Sequence, residues 1–305
     1  MAYREEEQSL DLIPRDHPLF IRIETALSRF PIHRLTKKDI EINLEHLSEK
    51  GKLELLWQVS YNEREGPPGL LAYKLDTTYI NRILDEERNR LGRYVRLGSL
   101  REICREMDMA DSGKNRNDIK KALLQNASTF IKCNLKYKDK AGSERTFNAN
   151  FTRYSVIFTG EEFSDGRKAD AVYLSLNEPY REILEHAQIR PLDFEYLKAL
   201  TPTTQRFYEI ISYNVFAALR AKKGSPANYI YSELCELLPQ ERFHEREKVR
   251  KQMWKLHKPH LDSGYLESAD IERRGEDDFL LIYWPGPKAK KEYGASMWRK
   301  EELNP

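Results

Sequence analysis

The chain has 305 residues, 40% apolar and 33% charged, and its 17 Tyr, 12 Phe and 4 Trp are far too many for a disordered chain. That length suggests two domains, no apolar run approaches the ~18 residues of a membrane span, and three widely spaced cysteines (Cys104, Cys133, Cys235) read as reduced thiols of a cytoplasmic protein. Net charge is only +2, but residues 93–153 carry 14 basic against 7 acidic side chains and residues 242–260 carry 7 against 2, two basic islands in a mildly acidic frame.

Residues 1–50 read as irregular, with a flexible N-terminus over 1–15. Leu53, Leu55, Trp57 and Val59 alternate with polar neighbours as in a half-buried strand. Gly66-Pro67-Pro68-Gly69 is a turn or short linker, and Asp76 is placed as the N-cap of a helix bearing Tyr79, Ile80, Ile83 and Leu84. Ser99 to Glu102 spells a capping box for a second helix, and a third follows Asp111-Ser112-Gly113 with Ile119, Ala122 and Leu123 inward. Two strands then join across Asp139 to Gly142, and a further hairpin pairs 154–159 with 172–176. In the second half Thr201-Pro202 opens a helix, Ile230, Leu234 and Leu237 mark a short one, and a basic helix runs from Phe243 to about Lys258, with Pro259 expected to end it. A hairpin turns at Arg274 to Asp277, and a polar tail begins at 288.

The two halves echo each other. Glu102 to Met107 aligns with Glu233 to Leu238, and each copy runs helix, helix, turn, basic helix, hairpin. That order predicts an α+β fold of tandem winged helix-turn-helix domains, each a small helical bundle with a β-hairpin wing. The expected domains are 16–188, with an extra N-terminal strand and hairpin, and 189–287, followed by the 288–305 tail.

A helix in the DNA major groove presents polar and basic side chains opposite its core stripe. Steps of 100° place Lys114, Asn117, Lys121 and Gln125 outward in the first copy, and His244, Lys248, Lys251, Lys255 and Lys258 outward in the second, together with Glu247 and Trp254. The expected wings add Lys136, Lys138, Lys140 and Arg145 in the first copy, and Arg273 and Arg274 in the second. Lysine and arginine neutralise phosphates, whereas Asn, Gln and Arg read base edges. Asn117 has two readings, a base contact or a helix cap.

Enzymatic readings fare badly. Asp111-Ser112-Gly113-Lys114 ends like a phosphate-binding loop, but Asp108 and Asn115 stand where the loop needs Gly and Ser/Thr. His257 and His260 flank a proline with no cysteine near, so no metal and no cofactor is expected. Cys104 and Cys235 fall on buried helix faces, and no H-x-H pair of a rolling-circle nuclease is present.

Four stretches resemble bacterial plasmid replication initiators with two tandem winged helices, the RepA/TrfA-like type. They are Asp16 to Phe20; Leu97 to Thr129; Tyr173 to Asn177; and Leu192-Asp193-Phe194 with Leu200 and Thr204 to Tyr208, where Gln205 stands in place of the family's common Arg. The resemblance implies a non-enzymatic protein that binds direct repeats in duplex DNA at an origin. It also implies a monomer–dimer balance and contacts with a host initiator and helicase. Competing readings are a winged-helix transcriptional regulator on a palindrome, a relaxase or nuclease, and a protein-interaction module.

Overall fold

The computed structural model describes residues 20–36, 41–86, 94–163, 166–221 and 224–301. The expected flexible N-terminus and the Asp16 to Leu19 part of the lead-in lie outside them. β1 (Phe20–Glu24), β2 (Asn43–Leu47) and β3 (Leu53–Ser60) precede α1 (Leu70–Glu86), and β4 (Tyr94–Gly98) leads into α2 (Leu100–Glu106) and α3 (Gly113–Ala127). Two hairpins follow, β5 (Phe130–Lys138) with β6 (Glu144–Thr152), and β7 (Tyr154–Ile157) with β8 (Val172–Leu176). α4 (Glu178–His186), β9 (Ile189–Asp193) and α5 (Phe194–Ala199) connect to α6 (Pro202–Arg220). The second half continues with β10 (Ala227–Ile230), α7 (Tyr231–Leu237), α8 (Arg246–Asp262), β11 (Leu266–Arg274), β12 (Asp278–Pro285) and α9 (Pro287–Glu301). The fold is thus mixed α+β with antiparallel sheets.

Strand pairing exposes a repeat that local sequence shows only in part. In the second half the order is α6, β10, α7, α8, β11, β12, and the sheet order is β10-β12-β11. In the first half α1, β4, α2, α3, β7 and β8 give the corresponding sheet order β4-β8-β7. In each half the last strand therefore lies between the other two. The hairpin expected as the first wing, β5–β6, belongs elsewhere. It joins β3 and β2 in a separate sheet of order β2-β3-β5-β6, because Trp57, Ile131, Cys133, Leu135 and Phe147 share one buried face.

Four other expectations are corrected. The 1–50 stretch is not irregular throughout, since β2 pairs with β3 and sets Leu44 opposite the fully buried Trp57. Asp76 is no N-cap: Ala72, Leu75 and Tyr79 extend the buried stripe in both directions, and α1 starts just after Gly69. Pro259 does not end α8, which runs on to Asp262 around the buried His257 and His260. Residues from Pro287 form a helix, because Ala289 and Glu292 sink against the second core.

Two apolar cores result, one centred on Trp57, Ile103, Ile119 and Ile131, the other on Phe207, Tyr231, Val249 and Leu281. The boundary expected at 188/189 is crossed by the β1–β9 ladder, which places Ile23 in the second core while Ala26 and Leu27 join the first. At the same junction Arg206 of α6 donates to the carbonyls of Ser28 and Arg29 and pairs with Glu209 at 3.2 Å. Thr77 of α1 reaches that Glu209 carboxylate at 3.4 Å.

Candidate nucleic-acid interface

The second basic island becomes the exposed face of α8, whereas the first is divided among α2, α3 and the β5–β6 hairpin. α3 is capped by Ser112, whose hydroxyl accepts the Asn115 N–H at 3.2 Å, while Asn115 donates its amide to the Ala110 carbonyl at 2.7 Å. The preceding α2 carries the expected capping box, with Glu102 accepting from the Ser99 N–H at 2.6 Å. That bond holds the Glu102 carboxyl below its ordinary pKa. Ile119, Ala122, Leu123 and Asn126 turn inward, and Lys114, Asn117 and Lys121 stand in solvent.

Gln125 does not. It is half-buried, and its amide donates to the Glu65 carbonyl at 2.9 Å, a bond across 60 residues that fixes the turn before α1. Asn117 makes no cap, because Ser112 and Asn115 occupy that role. Asn117→Ala is therefore expected to leave the melting temperature unchanged, measured by thermal unfolding. A fall matching the ~1 kcal/mol of a lost cap would contradict this assignment.

Lys136 and Lys138 on β5 and Arg145 on β6 sit in the separate four-stranded sheet, and Lys140 lies in the turn between them. Lys136 pairs with Glu144 at 3.0 Å, and Arg145 is held by the buried Asp139 at 2.7 Å, while Lys138 and Lys140 are exposed. The strand pair that corresponds to β11–β12 is β7–β8, whose connecting segment carries exposed Arg167 and Lys168 instead. Both were missed in the sequence, because the charge-rich hairpin directly after α3 looked like the wing.

α8 shows the stronger face. Val249, Met253, Leu256, His257 and His260 are buried, and Lys248, Lys251, Lys255 and Lys258 are exposed, with His244 in the lead-in. Lys248 and Lys258 form surface pairs with Glu245 and Asp262 at 2.7 and 2.6 Å, whereas Lys251 and Lys255 have no ion-pair partner among the described residues. Exposed pairs of this kind contribute little to stability. Arg250, overlooked in the sequence, widens the same face. It directly follows Val249 at the edge of a narrow buried stripe, and that spacing could have revealed it. Arg246 lies on the opposite side of α8, where it donates to the Ile271 carbonyl at 3.3 Å and ties the helix to β11. At the hairpin turn Arg273 folds back onto the carbonyls of Gly275 and Glu276, and Arg274 points to solvent.

The remaining chemistry-bearing groups are core. His257 lies 3.0 Å from the Tyr283 hydroxyl, and His260 lies 2.6 Å from that of Tyr196. Burial pushes the Cys133 thiol up to about 11 and the Cys235 thiol up to about 12, so both stay protonated at neutral pH. No group of three metal-ligating side chains occurs among the described residues.

No protein-family model matches the chain, and no curated protein sequence matches it. Solved structures that match the chain include two of the same protein. One is a selenomethionine crystal structure of domains 2 and 3 of RctB, with TM-score 0.44 and 12% identity over 82% of this chain and 94% of that one. The other, also of RctB domains 2–3, has TM-score 0.41 and 13% identity over 88% of this chain and 99% of that one.

Proposed function

We propose that this chain is a non-enzymatic duplex-DNA-binding protein built on two winged helix-turn-helix units, with α3 and α8 as recognition helices. The observation that carries this reading is the shared sheet order, first strand beside last, with the most basic helix of each half immediately before its wing or inserted sheet. β7–β8 and β11–β12 then serve as the wings. The biological role that fits best is initiation of plasmid-type replication. In that role the protein would occupy direct repeats at an origin, as a monomer in balance with a dimer, and recruit a host initiator and helicase. No helix among the described residues is long and apolar enough to cross a membrane.

The test is electrostatic. Affinity for duplex DNA is expected to fall steeply with salt, by about 0.9 log units per log unit of salt for each phosphate neutralised. Replacing Lys248, Lys251 and Lys255 by Ala should weaken binding to every sequence and reduce that slope by about 1 per lysine. A triple variant with unaltered affinity and slope would remove α8 from the interface. Preference for a palindrome over an array of direct repeats would favour a transcriptional regulator instead.

A further inference from the structure

Trp254 is 54% exposed on α8, the largest apolar side chain that helix leaves in solvent. It covers no core, because Val249, Met253 and Leu256 already fill the inward stripe. Helical spacing puts Arg250 and Lys251 one turn before it, Lys255 beside it and Lys258 one turn after it, all exposed. No cation stacks on its ring among the described residues. An occupant of this spot must bring negative charge and an apolar surface together, since the four surrounding cations disfavour a purely apolar or basic partner. The major groove of duplex DNA offers that combination, with phosphates on its walls and the thymine C5-methyl on its floor.

We infer that Trp254 is a specificity-determining residue of α8, packing its indole on a thymine methyl while Arg250, Lys251 and Lys255 hold the flanking phosphates. This inference rests on the DNA-binding reading above and adds which base α8 selects. The experiment uses the full chain with a randomised duplex library, comparing the native protein with Trp254→Ala and Trp254→Phe. The native protein is expected to require thymine at one position, Phe to retain that requirement and Ala to lose it. Replacing that thymine by deoxyuridine then deletes only the methyl. It should weaken the native protein about fourfold, the worth of one buried methyl-sized group, and leave the Ala variant unaffected.

An unchanged preference profile in Trp254→Ala would overturn the inference, as would additive losses from deoxyuridine and Ala. A Lys251→Ala, Lys255→Ala variant separates the two levels. If it weakens binding while Trp254→Ala changes nothing, the tryptophan contact fails and the DNA reading stands. If neither variant changes binding, the DNA reading of α8 fails, and the Trp254 contact fails with it.

Discussion

Acidification from pH 7 to pH 5 is expected to destabilise the second unit, and a His257→Gln, His260→Gln variant is expected to lose most of that dependence. Both rings lie in an aromatic cluster with Phe207, Tyr208 and Tyr283. Burial pushes His257 down to about 3 and His260 down to about 4. Unfolded histidines titrate near 6.5. Above that pH the rings are neutral in both states and their contribution is intact. Below it the unfolded chain takes up protons that the native core refuses, so stability drains away as pH falls. Over this interval the loss is about 2 kcal/mol per ring.

Glu292 of α9 works in the opposite sense. Burial raises its carboxyl to about 7, against hydrogen bonding from Tyr208 at 2.8 Å and the nearby Lys288 ammonium. Its native form therefore gains a proton before the unfolded chain does, adding about 2 kcal/mol as pH falls from 7 to 5. The native protein should lose the difference, and Glu292→Gln should steepen the decline. The measurement is urea unfolding at several pH values, reading the slope rather than the level, because packing losses from a substitution are the same at every pH. Other buried acids such as Glu24 and Glu209, both raised by burial, add a slope common to all variants. Identical slopes in the three proteins would show that these side chains are not the titrating groups.

The helices of this fold were legible because their signals are local. The capping box at Ser99, the Thr201-Pro202 start of α6 and the apolar stripes of α3 and α8 each lie within a few turns of chain. Outward faces followed from the same periodicity, so Lys114, Asn117, Lys121, Lys251 and Lys255 are exposed as expected. What the sequence hid is pairing at a distance. β4 and β10 are four- or five-residue strands that exist as partners of β8 and β12, and nothing in their own composition announces them. The β5–β6 hairpin was recognisable as strands, but its membership in the β3 sheet depends on a buried face contributed from before α1. Gln125 was read as outward because its partner, the Glu65 carbonyl, is remote in the chain. Asp76 shows the same limit most sharply. A lone acid ahead of an apolar run looks like a cap, and only the folded chain shows what it holds.

Asp76→Ala is accordingly expected to destabilise the first unit by about 3–5 kcal/mol, the range for removing one partner of a buried ion pair. The carboxylate is 8% exposed in the middle of α1. It accepts from the Tyr154 hydroxyl, pairs with the Arg153 guanidinium and lies 3.1 Å from His33 Nε2. Burial alone would raise its pKa, but Arg153, His33 and Tyr154 outweigh that and hold it below the ordinary value. His33 continues the chain to Asn126 of α3 at 3.0 Å, and Asn126 donates to the Ala72 carbonyl of α1 at 2.8 Å. One carboxylate thus fixes the β6–β7 junction and helps seat the basic helix. Without it Arg153, only 4% exposed, keeps its charge in the core with no other ion-pair partner among the described residues. Removing both charges with Asp76→Leu and Arg153→Met should restore most of the lost stability, because the cost lies in the orphaned guanidinium more than in the missing contact. Urea unfolding of the two singles and the double measures the coupling. If the double variant is as unstable as the sum of the singles, the pair is not a unit. If α3 binds DNA as proposed, Asp76→Ala should also weaken the first unit's contribution more than that of α8, whose core contains none of these groups.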